Sequence, residues 1–289
     1  MYKAGMKMPA RIKPLYDDGI VDEVLSRLMS GKEAIVYVVR CGNDIRCAKV
    51  YKEVHQRSFK KAVEYQEGRK GRNSRRNRAM EKKSSFGRKQ QEEAWQNAEV
   101  DALYRLADAG VRVPQPFGCF DGVLIMELIL DAEGNVAPRL NDVALTQEQA
   151  IKDHTTIMHD VARMLSVGVI HGDLSEFNVL LDEYGPVIID LPQAVDASGN
   201  NNAKAMLERD VKNMTTYYAQ FAPQLANSQY AQEIWELYEK AELKNDVVLT
   251  GQFNENDIEA DVDDVLLQIK AAFEEQEARL ERAREADLD

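Results

Sequence analysis

Residues 171–190, HGDLSEFNVLLDEYGPVIID, limit the folds open to this chain more than any other stretch. Two short apolar runs, near 178–182 and 186–190, read as strands. Asp173 and Asn178 lie at or before the first run, and Asp190 ends the second. A carboxylate at the end of a buried strand is costly unless a charged group meets it. Something charged is therefore expected to meet Asp190.

The remaining sequence is β-rich first and helix-rich last. Residues 34–51, AIVYVVRCGNDIRCAKVY, predict a hairpin with Cys41-Gly42-Asn43-Asp44 at its turn. A second hairpin is expected in CFDGVLIMELI (119–129), with Asp121-Gly122 at the turn and a second strand buried on both sides. Between them, 90–108 has helical pattern, with Trp95, Ala98, Ala102, Leu103 and Leu106 on one face and Gly110 and Pro114 as stops. A long helix is expected over 146–167, capped by Thr146 and ended at Gly168, with an apolar stripe of Ile151, Thr155, Met158, Val161, Ala162 and Leu165. Further helices are expected at 204–220, 228–242 and 262–285. This order points to an α+β, two-lobed protein and not to a doubly wound parallel sheet. Four parts are expected: an N-terminal segment (1–21), a β-rich lobe (22–127), a helical lobe (128–225) and an acidic helical extension (226–289).

Charge is uneven. The net charge of −12 argues against general nucleic-acid affinity. Yet residues 52–89 hold 14 Lys/Arg against 4 acidic residues, and the chain beyond Gln252 holds 13 acidic against 4 basic. The glycine-containing basic segment 52–90 reads as a mobile loop with a helix near 56–66. The 3 cysteines fit neither a disulfide framework nor a zinc site. No apolar run is long enough for a membrane span, and the first residues lack the apolar core of a secretory signal. The cytoplasm is the expected compartment, with no membrane partner.

Phosphoryl transfer needs positioned charge more than covalent chemistry from the protein. A carboxylate must orient the incoming hydroxyl, a carboxylate and an amide must hold a divalent ion, and a lysine must neutralise phosphates. Asp173, Asn178 with Asp190, and Lys49 are candidates for these parts. Lys49 lies between apolar Ala48 and Val50 on a strand, and Glu99 on the following helix is placed to pair with it. The five-residue step from Asp173 to Asn178, followed twelve residues later by Asp190, is a stronger joint signal than any single residue. His154 and His159 are five apart and share no ligand face. His171 is expected to pack the loop it opens.

These residues resemble the RIO family of atypical serine/threonine protein kinases. The resemblance runs from about residue 22 to about 225. It is carried by SGKEAIVYV (30–38), WQNAEVDALYRLADAGVRVPQPFG, HGDLSEFNVLL, IIDLPQAVD and MLERDVKNM. The segment before Trp95 suggests the RIO1-type branch, and Gly172 and Leu191-Pro192 resemble a bacterial spelling. The resemblance implies a kinase-like fold with ATP as substrate and Mg²⁺ or Mn²⁺ as cofactor. It implies that Ser30, Gly31, Lys32, Glu33 and Ala34 cradle phosphates, that Lys49 contacts them and that Glu99 orients Lys49. The backbone of Glu127 and Ile129, in a hinge over 126–129, would bind adenine. Asp173 would be the catalytic carboxylate, Asn178 and Asp190 the metal ligands, and Asp210 a brace for the catalytic loop.

The nucleotide loop has one glycine where ordinary kinases have a flap of three, and no Ala-Pro-Glu segment follows Asp190. The resemblance also admits an ATPase route in which Asp190 is transiently phosphorylated. A small-molecule phosphotransferase shares H-G-D-x-x-x-x-N but lacks SGKEA and LERDVKN. A nucleotide-gated assembly factor would use loop 52–90 to meet RNA or a ribosomal particle, with Arg75, Arg76, Arg78, Lys82 and Lys83 on phosphates. Ser84 and Ser85 in the same loop are expected sites of autophosphorylation. The protein acceptor is not legible in the sequence.

Overall fold

A computed structural model describes residues 6–31, 33–52, 98–244 and 246–253. Loop 53–90, Ser84, Ser85, Lys32, Trp95 and the acidic helix expected at 262–285 lie outside the described residues. The chain divides into two compact units, residues 1–250 and 251–289. The sheet and helices belong to the first.

The N-terminal half of that unit is a five-stranded sheet. The strands are β1 (Glu23–Ser30), β2 (Ala34–Cys41), β3 (Asp44–Tyr51), β4 (Pro116–Phe120) and β5 (Val123–Glu127), in the antiparallel order β1-β2-β3-β5-β4. Both expected hairpins form. At the second, Asp121 and Gly122 both take positive φ (46° and 77°), as a two-residue turn matching strand twist requires. Strand β1 has no counterpart among the elements expected from sequence. Its burial runs from mostly buried to fully exposed along EVLSRLMS, so it carries no clean alternation.

Alternation of side chains gives the sheet two different faces. Tyr37, Val39, Ala48, Val50, Val123 and Ile125 form one, covered by Ile12, Leu15 and Val21 around a short helix, α1 (Lys13–Asp17). Val36, Val38 and Cys47 form the other, with Leu25 and Leu128. Lys49 stands between Ala48 and Val50, so the pleat turns it away from the face that α1 covers. It pairs across to Val36 on β2 and Leu124 on β5.

Helix α2, described over 98–108, ends as Gly110 predicts. Gly110 takes φ 75°, its N–H donates to Ala107 O, and Val111 N–H donates to Leu106 O. These two bonds satisfy carbonyls left open at the helix end, in a geometry that favours glycine.

The C-terminal half is built on α3 (Gln147–Ser166), with α4 (Ala203–Tyr218) and α5 (Tyr230–Glu239). Thr146 caps α3 by accepting from Gln149 N–H at 3.1 Å. Short antiparallel pairs accompany the helices: β6 (Val169–Ile170) with β9 (Val195–Asp196), and β7 (Val179–Asp182) with β8 (Gly185–Ile188). The α+β, two-lobed architecture is as expected. Among the described residues no helix is long and apolar enough to cross a membrane.

The stripe assigned to α3 needs correction. Ile151 is 36% exposed and Thr155 only partly covered, while Asp153, His154, Ile157 and Asp160 are buried. The buried face is rotated because polar side chains share it: His154 bonds Thr215 on α4 (Nε2 to Oγ1, 2.9 Å), and Asp160 pairs with Arg163 at 2.9 Å. The strand expected to end on Asp190 also stops earlier, at Ile188. Asp190 has φ 67°, which no strand residue adopts.

Burial pushes the His154 imidazole down from 6.5 to about 4. The folded protein therefore resists a proton that the unfolded chain accepts. The stability this gives is full above pH 6.5 and drains as pH falls towards 4; at pH 4.5 the loss is about 2–3 kcal/mol. Urea unfolding of wild type and His154→Gln at pH 7 and 4.5 should show their difference shrinking by that amount. A difference independent of pH would contradict the assignment.

Candidate active site

The counter-charge that Asp190 requires is Lys49. Its Nζ lies 2.5 Å from Glu99 Oε1 and 2.9 Å from Asp190 Oδ1. Lys49 is 8% exposed and Glu99 5%, whereas the Asp190 side chain is 47% exposed and opens on a cleft. Burial alone would lower the Lys49 pKa. Glu99 first, and then Asp190, outweigh it and hold the ammonium well above its ordinary value. The Tyr51 ring lies 5.6 Å from Nζ and adds a cation–π contact. For Asp190, burial alone would raise the carboxyl, but the charge and hydrogen bond of Lys49 bring it below the usual carboxylate range. One lysine on β3 thus joins α2 to the loop after β8.

The loop after β6 carries Asp173 and Asn178. His171 is buried at its start and clasps two loops together. Its Nδ1 accepts from Asp173 N–H at 3.3 Å, and Nε2 donates to Ile189 O at 3.1 Å. The expected packing role for His171 is therefore concrete: it ties the Asp173 loop to the residue before Asp190. A second tie runs from Ile189 N–H to Asn178 O at 2.9 Å. The Asn178 amide nitrogen donates to Asp173 O at 2.8 Å, which leaves its Oδ1 as the free end of that amide. Asp173 itself is exposed.

Helix α4 grips the same loop from below. Asp210, 2% exposed, accepts from Gly172 N–H at 2.7 Å and from Leu174 N–H at 3.1 Å. Arg209 donates to Gly172 O, and Asn213 Nδ2 donates to Leu174 O at 3.1 Å. Burial pushes the Asp210 carboxyl up to about 6, and the charge of His171 and the two backbone donors work against that rise. Asp210 is the brace expected from sequence. Arg209 and Asn213 are not among the expected site residues, although their i, i+4 spacing within LERDVKN puts them on one side of the helix.

The cleft is a cavity of about 690 Å³ between sheet and helical half. Val36 and Cys47 line it from the sheet, and Leu180 and Ile189 from the other side. Met126 to Ile129 form one wall. There Glu127 N–H is donated to Gln115 O, and Ile129 O accepts from Ala137 N–H. Gly31, Glu33 and Ala34 border the cleft, while Ser30, exposed at the end of β1, does not. Gly31 N–H is spent on Ala34 O, and Lys52 Nζ donates to Gly31 O at 2.6 Å. Lys49, Asp173, Asp190, Glu127 and Ile129 all face this one cavity.

Among the described residues no group of three His, Cys, Asp or Glu side chains forms a metal cage. The Asn178 amide oxygen and the Asp190 carboxylate are hard oxygen donors on adjoining backbones. They suit a cation of the magnesium type, which takes few protein ligands and completes its shell with water and phosphate.

The family model described as the RIO domain matches residues 35–231. The RIO-type serine/threonine-protein kinase Rio1 of Haloferax volcanii is 32% identical over 210 residues, covering 72% of this chain and 68% of the relative. Rio1 of Thermoplasma acidophilum is 35% identical over 124 residues, covering 43% of this chain and 63% of that one. The serine/threonine-protein kinase RIO1 of Chaetomium thermophilum is 29% identical over 214 residues. That match takes in 69% of this chain but only 40% of the fungal protein.

The brace gives a test. Asp210→Asn keeps one acceptor but turns an amide NH₂ against a backbone N–H. It should lower turnover about 10–100-fold, as loss of outer-shell support does, with nucleotide affinity unchanged. Steady-state turnover beside equilibrium nucleotide binding checks this. Equal loss of both would mean the whole cleft had collapsed.

Proposed function

The chain belongs to the RIO family of serine/threonine-protein kinases, and on that premise we propose that it transfers the γ-phosphoryl group of ATP to a serine or threonine hydroxyl, with Asp173 orienting the acceptor. Family membership brings ATP and a divalent cation with it; magnesium is the cation proposed here. The observation that carries the reading is the Glu99–Lys49–Asp190 chain of contacts, at 2.5 and 2.9 Å, in the same cavity as Asp173.

In this reading Lys49 keeps Glu99 and exchanges Asp190 for phosphate oxygens. Asn178 and Asp190 would hold the cation, which when bound neutralises charge on the β- and γ-phosphates. Asp173 accepts the hydrogen bond of the acceptor hydroxyl and aims its oxygen at phosphorus. The Glu127 carbonyl and the Ile129 N–H are the backbone groups proposed for adenine, since the opposite group of each residue is already bonded within the protein. His171 and Asp210 hold the two loops at a fixed separation.

The exposure of Asp190 supports a second reading of the same site. Its carboxylate oxygen would attack the γ-phosphorus, ADP would leave, and water would hydrolyse the aspartyl-phosphate. The basic segment 52–90 is proposed, from its charge alone, to contact RNA or a ribosomal particle.

Turnover of Mg·ATP by wild type, Asp173→Ala and Asp190→Ala separates the two routes. A kinase yields acid-stable phosphoserine, and Asp173→Ala should lose about 10²–10⁴-fold in rate. Acid-labile label that requires Asp190 and survives Asp173→Ala would assign the ATPase route instead. For the basic segment, neutralising the six Lys and Arg of 69–78 should weaken RNA binding and flatten its salt dependence. Unchanged binding would sink that role.

A further inference from the structure

Arg139 borders the cleft and has no part in the reading above. Its place is set by backbone bonds to the helical half: Leu181 N–H donates to Pro138 O at 2.9 Å, and Arg139 bridges Leu180. It therefore rides on β7, two residues past Asn178 in register. From there its guanidinium crosses to β1, where Nη2 meets Met29 Sδ at 2.8 Å. A thioether is a weak acceptor, and the guanidinium carries five donors. Among the described residues no carboxylate lies within ion-pair distance of Arg139. Its charge nonetheless reaches Asp190 and helps to keep that carboxyl low.

The charge balance of the cleft shows what such a group is placed to do. Among the described residues Lys49 is the one ammonium that lines the cavity, and it already bonds Glu99 and Asp190, while Asp173 lines the same cavity. A triphosphate brings more negative charge than one divalent ion cancels. A site built only from these groups would repel the phosphates it has to hold. The planar fork of an arginine matches phosphate oxygens better than it matches a sulfur.

We propose that Arg139 is a second cationic contact for the phosphate chain of the nucleotide. It leaves Met29 and takes a phosphate oxygen from the helical side, while Lys49 holds the chain from the sheet. This rests on the ATP-site reading given above.

The test is equilibrium binding of adenosine, ADP and ATP, each with Mg²⁺, to the full chain as wild type, Arg139→Met and Arg139→Lys. Thermal unfolding of each variant verifies the fold. Arg139→Met should bind adenosine as wild type does and lose about tenfold or more for ADP or ATP, the range of a charge-assisted hydrogen bond. Arg139→Lys should recover part of that loss. ATP affinity unchanged in Arg139→Met would overturn the proposal, and so would an equal loss for adenosine. Unchanged ATP affinity with a raised KM for an acidic peptide would also overturn it, by giving Arg139 to the acceptor. Wild type that binds none of the three ligands would overturn the ATP reading itself, a result distinct from failure of the arginine alone.

Discussion

An ammonium group removed from water has to be met by negative charge, and in this protein that requirement fixes the relation of three separate segments. Lys49 sits on the central strand of the sheet with little access to solvent. Glu99 reaches it from α2 and Asp190 from the loop after β8. Removing Lys49 would leave Glu99 buried with no counter-charge, which costs far more than loss of a surface pair. The arrangement also has a direction. Glu99 is buried with the lysine, whereas Asp190 faces the open cleft, so Asp190 is the partner that a ligand can replace.

The other contacts of the site hold its loops in place around that cleft. The His171 clasp and the Ile189–Asn178 bond hold the Asp173 and Asp190 loops at one separation. Asp210, Arg209 and Asn213 fasten the lower side of the Asp173 loop to α4. Asp190 itself adopts φ 67°, a conformation uncommon outside glycine. Such a residue persists only where its surroundings over-determine it, and sites of chemistry are where this recurs. Here the surroundings are Lys49 on one side and the clasped Ile189 on the other.

Much of this is legible in the sequence, for identifiable reasons. Lys49 stands out because Ala48 and Val50 make a solvated strand lysine implausible, and the sheet's alternation then decides which way it points. Asp173, Asn178 and Asp190 are legible as a spacing, and Asp210 only through resemblance. What stays hidden depends on tertiary contact. The rotated face of α3 cannot be read because buried His154, Asp153 and Asp160 look polar in sequence, while exposed Ile151 looks like core. Strand β1 escapes because its second half is exposed. Arg139 belongs to no motif quoted for the chain, and only the bridge to Leu180 brings it to the cleft.

In the proposed function Lys49 is shared between a permanent partner, Glu99, and an exchangeable one, Asp190. A crystal structure with a non-hydrolysable ATP analogue and Mg²⁺ tests it most directly. Lys49 Nζ should remain on Glu99, leave Asp190 and lie on α- or β-phosphate oxygens, with the Asp190 carboxylate turned to the metal. An analogue bound with Lys49 still on Asp190, and its phosphates held elsewhere, would contradict it.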